Sequence, residues 1–130
     1  MPRAASAPGA FFAQIKNATG NYVDPSLESA TAAAASAKLK PDTDFRVSIT
    51  NAPGANVYPI TSFTWLLVSD NSKDPVKAKQ IRDFLSWMIS DEAQAMAVEL
   101  KYAPLPAEVR TLVAARIKTL KASGKVIALN

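Results

Sequence analysis

The run Pro59-Ile60-Thr61-Ser62-Phe63-Thr64-Trp65-Leu66-Leu67-Val68 is rich in β-branched and aromatic residues and carries no charge before Asp70. Such a composition reads as a strand. Neither alternate set of side chains is polar enough to face water, so both faces are expected under cover, as in a sheet flanked by helices. Ahead of the run, Pro53-Gly54 is a turn signal and Pro59 a second break, which makes 51–58 a crossover loop feeding the buried strand. Residues before Asn51 then form one structural unit, and those after Pro59 another.

Along the chain, residues 11–15 are apolar around Gln14, and Lys16-Asn17-Ala18-Thr19-Gly20-Asn21 supplies a turn before Tyr22-Val23. This predicts a short hairpin, with Asn17 and Gly20 taking the positive φ that a tight turn needs. Asp24-Pro25 marks a helix start, continuing through an alanine-rich stretch to about Ala37. Five alanines between Ala30 and Ala35 make a thin face that lies close to a sheet. Lys40-Pro41 closes that segment. Phe45 to Thr50 alternates apolar and polar residues and predicts a half-buried strand with Phe45, Val47 and Ile49 inward and Arg46 on the other face.

Asp74-Pro75 repeats the helix start and opens a longer helix to about Ser90, with an apolar stripe of Ala78, Ile81, Phe84, Leu85, Met88 and Ile89. Trp87 lies beside the stripe, where it is expected to pack under a neighbouring element. Ser90-Asp91-Glu92 caps the next helix, buried through Ala93, Met96, Ala97 and Leu100. Tyr102-Ala103-Pro104-Leu105-Pro106 is an extended connector. The last helix buries Val109, Leu112, Val113, Ile117 and Leu120, Ser123-Gly124 stops it, and 126–129 form a short tail strand. The fold class is α/β, helix-rich with a small mixed sheet.

Several chemistries are excluded by composition. The chain has no cysteine and no histidine, so thiol chemistry and the commonest general base and metal ligand are absent. The Asp91-Glu92 pair sits where a helix N-terminus favours negative charge. Asp70 and Asp74 lack the acidic neighbours of a cation loop, so no metal and no cofactor are assigned. The four glycines are too scattered for a phosphate loop. The formal charge of +4 is spread without runs or interleaved aromatics, a solvated surface and not a nucleic-acid site. No stretch is long enough for a membrane helix, and the start of the chain has no signal-peptide core. What remains is Thr61, Ser62 and Thr64, hydroxyls beside a crossover that either donate to an oxyanion or satisfy local backbone groups, with Arg46 the cation on the sheet face.

Tyr58-Pro59-Ile60-Thr61-Ser62-Phe63-Thr64-Trp65, then Phe84-Leu85-Ser86-Trp87, then Tyr102-Ala103-Pro104-Leu105-Pro106 resemble the C-terminal part of the phosphate-binding proteins of high-affinity phosphate ABC transporters. Ile15 to Val23 and Pro25 to Ser29 fit the same family, in the same order. The resemblance implies a two-lobed periplasmic-binding-protein fold of which this chain is a C-terminal portion. Residues 1–11 would be a flexible leader, 12–50 the remnant of the second lobe, 51–58 a hinge strand, and 59–130 the completion of the first lobe. Asn51, Pro53, Gly54, Tyr58 and Pro59 are then the hinge positions. The implied function is a non-enzymatic receptor that closes on inorganic phosphate and presents it to an ABC permease, in a periplasmic or extracytoplasmic setting. In that family the oxyanion is held chiefly by residues preceding this portion, so none of its recognised ligands falls on a numbered residue here. The chain alone is expected to bind phosphate weakly or not at all. The alternative is a small self-associating module reusing this fold piece, with a homodimer or the missing N-terminal half as its partner.

Overall fold

A computed structural model describes residues 12–127. The leader assigned to residues 1–11 and the end of the tail, 128–130, lie outside the described residues.

The hairpin forms as expected. β1 (Ile15–Lys16) pairs antiparallel with β2 (Tyr22–Val23), Ile15 opposite Val23. Gly20 takes φ +89°, whereas Asn17 is not left-handed and does something else, described below. Helix α1 (Leu27–Ala35) begins two residues later than Asp24-Pro25 suggests. Ser26 is its N-cap: the Ser26 hydroxyl accepts from the Ser29 amide at 3.1 Å, and the Ser29 hydroxyl accepts from the Ser26 amide at 3.0 Å. This reciprocal box satisfies two orphan amides at once. Asp24 instead accepts from the side chain of Gln14. Ala33 and Ala34 are buried and form a small core with Ile49 and Val57, against which Phe63 packs.

No ladder forms over residues 45–50. Burial still alternates as the pattern predicts, with Phe45 and Val47 half-buried, Ile49 buried and Arg46 exposed. The amides, however, are used locally. Those of Phe45, Arg46 and Thr50 donate to the side chains of Thr43, Asp44 and Ser48, and that of Val47 to the carbonyl of Phe45. Such side-chain turns compete with sheet pairing, and Phe45 adopts φ +63° within them.

The largest departure concerns the charge-free run. It belongs to no sheet, and the next strand is β3 (Asn71–Ser72). Trp65, Leu66, Leu67 and Val68 are exposed, Leu67 at 95%. The expectation of a strand covered on both faces is therefore not met among the described residues.

Three helices follow: α2 (Pro75–Met88), α3 (Asp91–Glu99) and α4 (Ala107–Ile117). The Asp74 carboxylate accepts from the amides of Val76 and Lys77, and the Ser90 hydroxyl from that of Ala93. Both helix starts were legible as caps. The α2 stripe is rotated from the predicted one. Ala78, Arg82, Leu85 and Ile89 turn inward, while Ile81 and Phe84 are exposed. Trp87 is exposed as well and stacks on Phe84, with centroids 5.9 Å apart, rather than packing under another element. On α3 only Ala93 is fully buried, and Met96 and Leu100 face solvent. On α4 Val109, Leu112, Val113 and Ile117 are buried or half-buried as predicted, and Leu120 is buried just beyond the end of the helix.

Ser123-Gly124 is a hairpin turn and not the helix stop, since α4 ends at Ile117. Both residues have positive φ, the geometry of a type I′ turn joining β4 (Lys121–Ala122) to β5 (Lys125–Val126). β4 pairs parallel with β3 and antiparallel with β5, giving a three-stranded mixed sheet. The fold is thus α/β, helix-rich, with a small mixed sheet.

Candidate functional site

The crossover is a closed loop, not a strand. The Asn51 amide donates to the Pro59 carbonyl at 2.8 Å and closes its neck. The Tyr58 amide donates to the Ser29 carbonyl of α1 at 3.3 Å. Asn51 holds φ +52° and Gly54 φ +139°. A Cβ on Gly54 would stand 2.8 Å from Cγ2 of Val57, so the close approach there requires glycine.

Asn17 fixes this loop to the hairpin. Only 6% exposed, it donates through its side-chain nitrogen to the carbonyls of Gly54, Ala55 and Val57 at 3.0, 2.9 and 3.2 Å. Its side-chain oxygen accepts from the Thr19 amide and hydroxyl and from the Asn21 amide. An amide side chain carries donors and an acceptor in one planar group, so it can satisfy both strands of this junction. In the sequence Asn17 reads only as a turn residue, because the carbonyls to which it donates lie some forty positions away.

Three residues are candidates for holding an oxyanion. Thr61 is buried, and its hydroxyl donates to the Tyr58 carbonyl at 2.7 Å. The Ser62 hydroxyl donates to the Phe63 carbonyl at 3.1 Å. Arg46 pairs through Nε with Asp44 at 3.4 Å, and its side chain is 84% exposed. A hydroxyl has a single donor hydrogen, so Thr61 and Ser62 reach an anion only by releasing these carbonyls. Arg46 lines an apolar cleft beside Thr64 and Trp65, whereas Thr61 and Ser62 do not line it.

Helix N-termini, the other natural oxyanion donors, are largely occupied by the protein's own groups. At α1 the Glu28 carboxyl lies below its ordinary pKa, first through its own backbone amide and then through the Ser26 hydroxyl. Asp74 caps α2, and Asp91 and Glu92 stand in the first turn of α3. α4 has no side-chain cap, but Glu108 occupies its first turn. Among the described residues there is no group of three or more metal-ligating side chains, and no helix is long and apolar enough to cross a membrane.

The cleft of about 520 Å³ lies between residues 63–70 and the helices. Phe63, Leu66 and Leu67 line one side, and Leu85, Val113 and Ile117 the other. Along its outer wall the backbone of Thr64 through Ser69 makes no hydrogen bond among the described residues. The Trp65 indole is anchored, donating to the Phe45 carbonyl at 2.8 Å and meeting Phe63 edge-on. Sequence reasoning singled out this run but not its exposure.

No family model matches the chain. Among known proteins it is similar to the phosphate-binding protein PstS of Xylella fastidiosa, 39% identical over 95 residues, which is 73% of this chain and 26% of that protein. It is 34% identical to the phosphate-binding protein PstS of Pasteurella multocida, covering 83% of this chain and 31% of that protein. The protein of the same name from Methanocaldococcus jannaschii is 34% identical over 75% of this chain and 28% of its own length. The chain therefore spans about a quarter to a third of the curated relatives it matches.

Proposed function

We propose that this PstS-like chain is the C-terminal portion of a phosphate-binding solute receptor, a non-enzymatic component of phosphate import through an ABC transporter. The observation that carries the reading is sequence identity of 34–39% to phosphate-binding proteins over 73–83% of the chain. The assembled receptor would work outside the cytoplasmic membrane, closing two lobes on inorganic phosphate and handing it to a permease. In this portion the loop 51–59 is the proposed hinge. Its neck, closed by Asn51 and Pro59, is the short connection across which a lobe rotation would pass.

The engaged hydroxyls of Thr61 and Ser62 favour a role in which this portion supplies scaffold and the remainder of the receptor supplies most of the phosphate ligands. A contribution from Thr61 or Ser62 would require exchanging a local carbonyl for the oxyanion when the lobes close. Calorimetric titration of the chain with phosphate, with sulfate as control, tests this division. No selective heat is expected. Micromolar phosphate binding with rejection of sulfate would overturn it and place a complete site within these residues.

A further inference from the structure

We infer that the basic end of this chain, where the β4–β5 hairpin meets the start of α2, is a contact surface for a layer of anionic phospholipid headgroups. Only the place where such a layer is met, outside a cytoplasmic membrane, rests on the receptor reading.

The cations are spread along the sequence, and the fold gathers them. After Glu108 the chain carries Arg110, Arg116, Lys118, Lys121 and Lys125 and no acidic residue. Arg110 is paired with Asp91, whereas the other four make no ion pair among the described residues. The turn of the β4–β5 hairpin is tied to the residues that lead into α2. The Ser123 amide donates to the Ser72 carbonyl at 2.9 Å, the Ser123 hydroxyl to the Lys73 carbonyl at 3.4 Å, and the Gly124 amide to the Asn71 side chain at 2.9 Å. These bonds bring Lys73, and Lys77 in the first turn of α2, to the same end as the hairpin lysines. Lys73, Lys77, Arg116, Lys118, Lys121 and Lys125 are all exposed. The acidic residues within 70–77 and 116–126 are Asp70 and Asp74, which leaves an excess of four positive charges there, and the Asp74 carboxylate is turned to the amides of α2. Lys121 stands opposite Val126 and Lys125 opposite Ala122, so the two lysines leave opposite sides of the hairpin and its tip carries the charge.

Composition selects the partner. Five of the six cations are lysines. Protein–protein interfaces are depleted in lysine and enriched in arginine and aromatic residues, and neither 70–77 nor 116–126 contains an aromatic residue. A lysine ammonium is a compact, strongly hydrated charge on a flexible stem, suited to diffuse attraction by many headgroup phosphates and not to a fixed fork-like contact. The exposed large apolar residues here are Val76 and Val126, too little apolar area for insertion among acyl chains. Contact is therefore held at the headgroup level by charge, and it weakens as salt screens that charge.

The test is flotation of the whole chain with vesicles of phosphatidylcholine containing about a third phosphatidylglycerol, and with vesicles of phosphatidylcholine alone. Binding to the anionic vesicles alone is expected, and it should be lost when salt rises from about 0.05 M to about 0.5 M, which shortens the screening length about threefold. Each lysine near an anionic leaflet is worth about fivefold in partition, so Lys121→Gln with Lys125→Gln should weaken binding about 25-fold. Lys38→Gln with Lys40→Gln makes the same change of charge at exposed positions elsewhere and should weaken it less than about threefold. Circular dichroism should be unchanged in both variants, because all four side chains are exposed. Absence of binding to the anionic vesicles at low salt would overturn the inference. Equal losses in the two variants would overturn it by assigning the attraction to net charge, and binding to neutral vesicles that survives high salt would overturn it by assigning contact to the exposed apolar run. The vesicles carry no free phosphate ion, so failure of the receptor reading in the phosphate titration leaves this readout unmoved.

Discussion

Replacing Asn17 by alanine removes the side chain that makes most of the bonds between the hairpin and the 51–59 loop, leaving that of Asn21 to the Ala55 carbonyl. The Val57 carbonyl loses its donor, those of Gly54 and Ala55 keep only the Val57 amide and the Asn21 side chain, and the amides of Thr19 and Asn21 lose their acceptor. The groups near the surface can turn to water, so their loss is cheap. The Val57 carbonyl accepts a buried bond, and leaving it without a donor costs the desolvation of that group. Two net hydrogen bonds at about 1 kcal/mol each, with a further 1 kcal/mol or so for that carbonyl, give a cost of about 3 kcal/mol. Urea denaturation followed by circular dichroism should then show the midpoint falling by about 1–3 M with an unchanged slope. Asn17→Asp separates the two halves of the interaction, since it keeps the acceptor and replaces the donors by an oxygen aimed at three carbonyls. At neutral pH it should cost at least as much as alanine. An Asn17→Ala cost below about 1 kcal/mol, or an aspartate variant more stable than the alanine one, would refute the claim that the donors hold this junction.

Gly54→Ala meets both a clash and a forbidden backbone and should cost about 2–3 kcal/mol, whereas Gly124→Ala, at φ +80° with open space around it, should cost about 1 kcal/mol. Equal costs in chemical denaturation would mean that contact with Val57 is not what excludes a side chain. Asp83 sits below its ordinary pKa, chiefly through hydrogen bonds from Lys79 and then Arg82. Its folded value lies below its unfolded one, so its contribution is present above the unfolded value and is lost as pH falls through the folded value. Comparing Asp83→Asn with the parent from pH 6 down to pH 2 should show the difference in stability vanishing at the acid end, and a constant difference would contradict the pairing.

Local chemistry was legible in the sequence where a residue's partners lie within a few positions. Asp74 and Ser90 cap α2 and α3 because their oxygens reach amides two or three residues on. The α4 stripe was readable because Val109, Leu112, Val113 and Ile117 repeat at helical spacing. The junction made by Asn17 was not read because the carbonyls to which it donates lie across the chain, and the α2 stripe was misread because periodicity cannot see that Arg82, 1% exposed, occupies an inward position. The run from Pro59 to Val68 is a different case. Its composition describes a strand covered on both faces, while among the described residues only its continuation at Asn71–Ser72 finds a partner. Sequence records the environment a segment is suited to, and among the described residues this run is not in it. The candidate site was legible as residue types, but the hydrogen bonds that engage Thr61 and Ser62 and the exposed ion pair of Arg46 with Asp44 were not.

The central claim is that these residues can stand in for the corresponding portion of a phosphate receptor. It is tested most directly by a chimera in which this chain replaces the matched segment of the Haemophilus influenzae phosphate-binding protein PstS. Titration of the folded chimera with phosphate, and separately with sulfate, should give saturable heat with phosphate alone. A folded chimera that binds neither anion, or that no longer distinguishes them, would contradict the account.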